Sequence, residues 1–425
     1  MNQYRIKGGA PVSGVVRLSG NKNAALPCIA CALLTKETVL LRNVPDIEDV
    51  RVMFEVFRIL GGSIQSAGQN AWRLSGEGLC RDTVPAELAE KIRASILFAG
   101  PLLARTGRAV LPPPGGDVIG RRRLDTHFLA LTELGASVTI TENYNFNAKT
   151  LKGADIFLDE ASVTATENAI MAAVLAQGDT ILTNAASEPH CQDLCRMLVA
   201  MGAKIDGIGS NILHIHGVEK LGGCEFEIGA DYMEAGSFLG LAAVTHGELI
   251  IEGIDARDLR PVKIPFGKLG ICWEHEGKTL RIGANQTLRV NHDLGGMIPK
   301  IDDAPWPGFP PDLTSIVTVV ATQVEGTVLV HEKMFESRMF FVDMLIGMGA
   351  RIVLCDPHRA VISGPAKLSG SELTSPDVRA GMAMIIAALC AEGESIVKNV
   401  YQIERGYERI VERLTTLGAC IERRE

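Results

Sequence analysis

The sequence carries no surplus of positive charge. Its 42 lysines and arginines stand against 50 aspartates and glutamates, a formal net charge of −8 over 425 residues. Without a strong positive field, broad binding to nucleic acid or to an anionic membrane surface is disfavoured, and any bound anion must be gripped by local arginines. Long apolar runs are missing too. The longest nearly pure one, residues 381–391, falls short of the roughly 20 residues that cross a bilayer. The opening Met1-Asn2-Gln3-Tyr4-Arg5-Ile6 has no apolar signal core, which predicts a cytoplasmic protein rather than an exported one. No GxGxxG follows a strand, and no glycine-rich loop ends in the Lys-Ser/Thr of a P-loop, so a dinucleotide or P-loop nucleotide site is not expected. Ten cysteines lack the spacing of a secreted scaffold and fit a reducing compartment. Cys28 and Cys31 form a lone CxxC, and Cys191 and Cys195 lie four apart. With no second CxxC, they read as small apolar side chains packed in helices, and no metal is expected.

What is present is ample apolar material. Hydrophobic residues make up 47% of the chain, which argues against disorder, and the length predicts two to four domains of roughly 100–200 residues. The strongest organising signal is internal repetition. A glycine and a small or apolar residue recur in Leu60-Gly61-Gly62, Leu134-Gly135-Ala136, Met201-Gly202-Ala203, Leu269-Gly270-Ile271, Met348-Gly349-Ala350 and Leu417-Gly418-Ala419, with 67 to 79 residues between successive glycines. Each glycine sits where a helix would end in a left-handed turn before a β-rich stretch. β-Branched strands are predicted near 37–40, 108–111, 179–182, 248–251, 327–330 and 395–397. Before each lies a stretch apolar on nearly every face, at 24–34, 94–104, 169–176, 235–244, 313–321 and 380–390. A helix apolar all round must be buried. Each of six units therefore reads as buried helix, strand, amphipathic helix ending at the glycine, then strands.

The starts of those buried helices carry polar side chains that a pure core would not need. They are Lys22 and Asn23, Arg93, Glu167 and Asn168, Asp231 and Glu234, Asp312, and Asp377 and Arg379. Helix N-termini offer unpaired N–H groups and partial positive charge, which suit phosphates and carboxylates. Glu167, Asp231 and Glu234 serve equally well as caps. Lys22, Arg93 and Arg379 oppose the dipole, which makes sense if they face a shared anion; solvated surface charge is the alternative. Further polar loops are Pro114-Gly115-Gly116-Asp117-Val118-Ile119-Gly120-Arg121-Arg122-Arg123, Phe335-Glu336-Ser337-Arg338 and Ile403-Glu404-Arg405-Gly406-Tyr407-Glu408-Arg409. The glycines of the first allow backbone close to a ligand. Of nine histidines, His127, His190 and His331 invite a catalytic reading. None has a nucleophile or orienting partner nearby in sequence, so surface or packing roles are expected.

At these residues the sequence resembles the UDP-N-acetylglucosamine 1-carboxyvinyltransferase family of enolpyruvyl transferases. The matching stretches run almost end to end. They include Ser19-Gly20-Asn21-Lys22-Asn23-Ala24-Ala25-Leu26-Pro27, Arg93-Ala94-Ser95, the Pro-Gly-Gly loop with Arg122 and Asp125, Ser162-Val163, and Ala165-Thr166-Glu167-Asn168. Asn184-Ala185-Ala186, Glu188-Pro189, Phe309-Pro310-Pro311-Asp312, Phe335-Glu336-Ser337-Arg338, Asp377-Val378-Arg379 and Arg405-Gly406-Tyr407-Glu408-Arg409-Ile410 continue the match.

The resemblance implies a two-domain inside-out α/β barrel of six βαβαββ repeats, three per domain. It implies a catalytic domain of residues 1–21 plus 230–425 and a second domain of 22–229 bearing a mobile loop near 112–123, with the first strand crossing over and the site in the cleft between. It further implies that phosphoenolpyruvate is protonated at C3 while a sugar hydroxyl attacks C2, after which phosphate leaves, with no cofactor or metal. Lys22, Arg122 and Arg405 then match the phosphoenolpyruvate ligands, and Arg93, Arg338, Asp377 and Arg379 complete the lining. Asp312 matches the residue at the attacking hydroxyl, as base or orienting acceptor. Asn23 falls to the sugar, and Asp125, Ser162 and Val163 to the uridine diphosphate. Asp117 stands where a cysteine is usual, the atom alkylated by fosfomycin in typical members, and is expected to serve as general acid or in product release. Arg123, Glu160, Thr164 and Ser337 also depart from the common pattern. Another uridine nucleotide as acceptor, and a catalytically silent ligand-binding paralogue, remain as alternatives.

Overall fold

The structure, a computed structural model, describes residues 2–117 and 119–424. The six repeated glycines set its rhythm. Gly61, Gly135, Gly202, Gly270, Gly349 and Gly418 all have φ between 76° and 108°. The residue after each donates its N–H to the carbonyl five positions back, from Gly62 to Phe57 in the first turn and from Ala419 to Leu414 in the last. A side chain is strained at that φ, so glycine ends each amphipathic helix and turns the chain into its strands.

The six stretches apolar on all faces are buried. Lys22–Cys31 runs on into a 3-10 turn, Ala32–Leu34. Val163–Ala173, Tyr232–Val244, Thr314–Ala321 and Val378–Cys390 are α-helices, and every residue of Tyr232–Val244 is buried. The stretch expected as one helix at 94–104 is two pieces, a 3-10 segment Arg93–Phe98 and an α-helix Ala99–Thr106. Pro101 explains the break. It has no N–H for an α-helical bond to Leu97, so the α-helix restarts where proline falls in a first turn and needs no donor.

The chain forms two compact units, Met1–Ser19 with Asp117–Arg122 and Ala230–Glu425, and Gly20–Gly116 with Arg123–Gly229. Two details differ from the family expectation of 1–21 and 22–229. The first boundary falls after Ser19, and 117–122 packs with the first unit. Local bonds account for the second difference: Ser337 N–H donates to Ile119 O at 3.1 Å, and Arg121 N–H to the Glu336 carboxylate at 2.8 Å. The loop's Val118 lies outside the described residues.

Each unit has its own apolar core. In the first, three four-stranded sheets flank the buried helices. Each sheet has one parallel pair and two antiparallel pairs, as in Lys300–Asp302 beside Gly326–His331, then Arg359–Gly364 and Ile352–Asp356. Not one but two N-terminal strands belong here. Gly14–Arg17 pairs parallel with Leu249–Glu252, and Gln3–Lys7 lies between Glu394–Lys398 and Cys420–Arg424. The second unit repeats the plan with two four-stranded sheets and one of three strands. In the three-stranded sheet a single parallel bridge, Thr83 to Val110, stands at the missing edge. Cys28, Cys31, Cys191 and Cys195 are buried in helices, and burial pushes their thiols up, Cys195 to about 12. Among the described residues no helix is long and apolar enough to cross a membrane.

Candidate active site

In the first unit the buried helices bring their N-terminal ends to a cluster of guanidinium groups. Arg338, Arg379 and Arg405 are only 4–5% exposed. Asp312, in the turn that starts the helix Thr314–Ala321, joins two of them. Its Oδ1 accepts from Arg338 Nη2 at 2.8 Å and its Oδ2 from Arg379 Nε at 2.9 Å. Phe335 lies under the Arg338 guanidinium and Tyr407 under that of Arg379, at 5.2 and 5.5 Å from the ring centres. These contacts leave donors over. Arg338 Nε and Nη1 and Arg379 Nη1 are buried without a hydrogen-bond partner, an arrangement that costs free energy unless an acceptor arrives.

Arg405 Nη1 donates to Asp117 Oδ1 at 2.5 Å and to Gln402 Oε1 at 2.7 Å. The loop aspartate thus occupies one of the expected phosphoenolpyruvate ligands. Arg122 is electrostatically part of the same group. Burial pushes its guanidinium below the ordinary arginine value, Arg338 and Arg405 push the same way, and Asp117 and Asp312 oppose them. For Arg338 and Arg379 burial pushes down, but nearby carboxylates, Asp312 foremost, more than offset it and raise both guanidiniums above the ordinary value. Asp377 has a structural task beside the place in the substrate lining expected of it. It caps the helix Val378–Cys390, accepting from the N–H groups of Arg379 and Ala380, while burial pushes its carboxyl up. Asp231 caps Tyr232–Val244 in the same way, and Glu234 pairs with Arg413 and accepts Ser19 N–H.

In the second unit the corresponding helix starts are differently occupied. Lys22 Nζ lies 2.6 Å from Asp49 Oδ2, with both groups largely buried, so its first partner is a carboxylate of its own unit. The backbone of Asn23 is held by Asn21 Oδ1 and its side chain is half-buried. Arg93, half-buried, donates to Arg123 O at 3.1 Å. Gly115 and Gly116 permit a close approach to protein: a Cβ would fall 1.7 Å from Glu90 O at Gly115 and 3.1 Å from Arg93 Cβ at Gly116. Ser162, half-buried, precedes the helix Val163–Ala173 without capping it, and Val163 opens that helix. Asp125 is exposed and paired with Arg123 at 2.9 Å.

The three histidines divide between packing and the surface. His127 and His190 are buried in packing, while His331 is half-buried at a strand end. His127 accepts from Asn168 Nδ2 at Nδ1, which places its proton on Nε2, facing Thr164 Oγ1 at 3.1 Å. Burial pushes it down to about 3, so the ring is neutral. Glu167, His190 and Cys191 cluster within 4.8 Å. Burial raises both the Glu167 carboxyl and the Cys191 thiol, and the thiol donates to Glu167, so the group reads as neutral packing rather than a charged ligand set.

Asp49, Gln402, Asp303 and Glu332 were not singled out from the sequence. Gln402 sits three residues before Arg405 and was within reach of a helical-spacing argument. Nothing local links Asp49 to Lys22.

The family model described as EPSP synthase (3-phosphoshikimate 1-carboxyvinyltransferase) matches residues 6–414. The UDP-N-acetylglucosamine 1-carboxyvinyltransferase of Treponema denticola is 69% identical over 425 residues, covering all of both chains. That of Treponema pallidum is 65% identical over 421 residues, 99% of each chain. Among solved structures, the enolpyruvyl transferase NikO from Streptomyces tendae aligns with a TM-score of 0.89 at 24% identity, over 99% of this chain and 98% of that one, and so shares the fold. With full-length identity of that order, the chain belongs to the UDP-N-acetylglucosamine 1-carboxyvinyltransferase family of enolpyruvyl transferases.

Proposed function

We propose that the protein transfers the enolpyruvyl group of phosphoenolpyruvate to the 3-hydroxyl of UDP-N-acetylglucosamine and releases phosphate, in cytoplasmic peptidoglycan precursor synthesis. C3 of phosphoenolpyruvate takes a proton, the sugar oxygen bonds to C2, and the C2–O bond to phosphate breaks as the C3 proton is lost again. The observation that carries the reading is the buried group of Arg338, Arg379 and Arg405 around Asp312 and Asp117, with guanidinium donors to spare. Planar guanidiniums suit phosphate and carboxylate alike.

Each oxygen of Asp312 already accepts from one arginine. A substrate phosphate competing for those donors frees lone pairs for the sugar hydroxyl, which fits Asp312 as its acceptor or base. Asp117 is proposed as general acid or in product release. It too must yield Arg405 to the incoming anion, since both compete for the same donors. Lys22 and Arg122 are proposed as further phosphoenolpyruvate ligands and Arg93 as part of the cationic lining. Asn23 is assigned to the sugar, and Asp125, Ser162 and Val163 to the nucleotide. A coupled phosphate assay with phosphoenolpyruvate and a panel of uridine nucleotides tests the reading. Phosphate release with UDP-N-acetylglucosamine is expected; release only with another nucleotide, or with none, refutes it.

A further inference from the structure

Two buried carboxyl groups outside the arginine cluster hold the segment that delivers Arg338. Glu332 follows the strand Gly326–His331 and is fully buried. Its own N–H donates to His358 O at 2.8 Å, and its carbonyl accepts from His358 Nδ1 at 2.7 Å. Asp303, 1% exposed, enters from the loop after Lys300–Asp302. Its Oδ1 accepts Lys333 N–H at 2.5 Å and its Oδ2 accepts Met334 N–H at 3.3 Å. Glu332 Oε1 accepts Phe335 N–H at 3.2 Å. Three consecutive backbone donors are thus taken by two side chains. The next contacts lead straight to the site: Arg338 N–H donates to Phe335 O, the Arg338 guanidinium lies over the Phe335 ring, and its Nη2 grips Asp312.

Glu332 Oε2 is buried and makes no hydrogen bond among the described residues. A bare charge there would be costly. Burial chiefly pushes the Glu332 carboxyl up, to about 9, with Asp303 adding to the rise and Arg338 opposing it. Glu332 is therefore neutral in the physiological range, and the two Asp303 oxygens accept the Lys333 and Met334 amides.

We infer that Asp303 and Glu332 are positioning residues for the transfer reaction, fixing the segment 333–338 so that Arg338 presents its guanidinium to Asp312 and to the anion. The inference rests on the proposed role of that cluster.

The pairing makes an asymmetric prediction. Glutamine at 332 keeps an acceptor for Phe335 N–H and is neutral like the buried acid, so Glu332→Gln should turn over within about twofold of wild type. Glu332→Ala and Asp303→Asn should lose about tenfold or more in kcat/KM for phosphoenolpyruvate, because asparagine has one oxygen for two amides. Each is assayed well below its own Tm. In an Arg338→Ala background, Glu332→Ala should cost nothing further, since it acts through Arg338. Amide exchange at 333–335 supplies a readout that does not need turnover: protection is expected to survive in Glu332→Gln and to fall in Glu332→Ala. An inactive wild-type protein would refute the functional reading while leaving this exchange contrast to decide the positioning claim. Equal damage in Glu332→Gln and Glu332→Ala, or additive losses with Arg338→Ala, would overturn it.

Discussion

The two units share a repeat plan but treat charge in opposite ways. In the first, Arg338 and Arg379 pair with Asp312 and Arg405 with Asp117, Arg122 lies within their electrostatic reach, and buried donors of Arg338 and Arg379 are unmet. In the second, Lys22 pairs with Asp49, and one polar network joins neutral His127 to Thr164 and Asn168. Asn168 also accepts Gly100 N–H and donates to Ile96 O, tying the 3-10 segment to the next helices. The same fold thus supplies in one unit a cluster of buried guanidinium groups with donors that an anion can take up, and in the other a lysine–aspartate pair beside a neutral network. Function on a repeat scaffold then follows from which side chains the helix starts carry and which of their donors are left unmet.

The largest effect that can sharpen this contrast is at Asp312. Asp312→Asn should cut kcat by about 10²–10⁴, the range for a positioned acid or base. Asp312→Ala should also lower Tm, because leaving buried charges unpaired costs about 3–5 kcal/mol. Steady-state kinetics beside thermal melts check both, and near-wild-type turnover in Asp312→Asn would remove it from the chemistry.

The loop aspartate comes next. Arg405→Ala should weaken phosphoenolpyruvate use tenfold or more, since a charge-assisted hydrogen bond contributes about 1.5–3 kcal/mol. Asp117→Ala should lose most turnover. The wild-type protein should resist covalent inactivation by fosfomycin, because a carboxylate is a far weaker nucleophile than a thiolate, and Asp117→Cys should keep activity and gain the adduct. Intact-protein mass spectrometry reads this out; a stoichiometric, inactivating adduct on the wild type contradicts it.

In the second unit the expected signature is in stability. His127 is neutral when folded and takes a proton when unfolded, so between its folded value of about 3 and the ordinary value of 6.5 the unfolded chain binds more protons. Its contribution is present above about pH 6.5 and is lost as pH falls, by at most about 1.4 kcal/mol per pH unit. Melts from pH 7.5 to 5 should show that decline, and it should flatten in a folded His127→Asn protein. The smallest effect is expected at Arg123, whose exposed pair with Asp125 is screened by water. A Tm change in Arg123→Ala comparable with that of Asp312→Ala would break the comparison.

Much of the architecture was legible because its causes are local. Gly61 and its five counterparts need a left-handed turn, and Tyr232–Val244 is apolar on every face, so periodicity alone located turns and buried helices. The break before Ala99 came from Pro101, a local cause that the apolar count concealed. Arg338, Arg379 and Asp312 were legible as polar residues in unusual places, but not as one ion-paired group, since their contacts span dozens of residues. Asp49 and Glu332 stayed hidden for the same reason. An acidic residue in the first turn of an amphipathic helix, or after a strand, has many ordinary uses.

The central claim is that phosphoenolpyruvate is held by the first unit's guanidinium cluster. The most direct measurement is a crystal structure of Asp312→Asn with phosphoenolpyruvate and UDP-N-acetylglucosamine bound. The phosphate and carboxylate oxygens should lie within hydrogen-bonding distance of guanidinium groups among Arg122, Arg338, Arg379 and Arg405, with Asp117 displaced from Arg405. Phosphoenolpyruvate bound with none of these four arginines in contact would contradict the account.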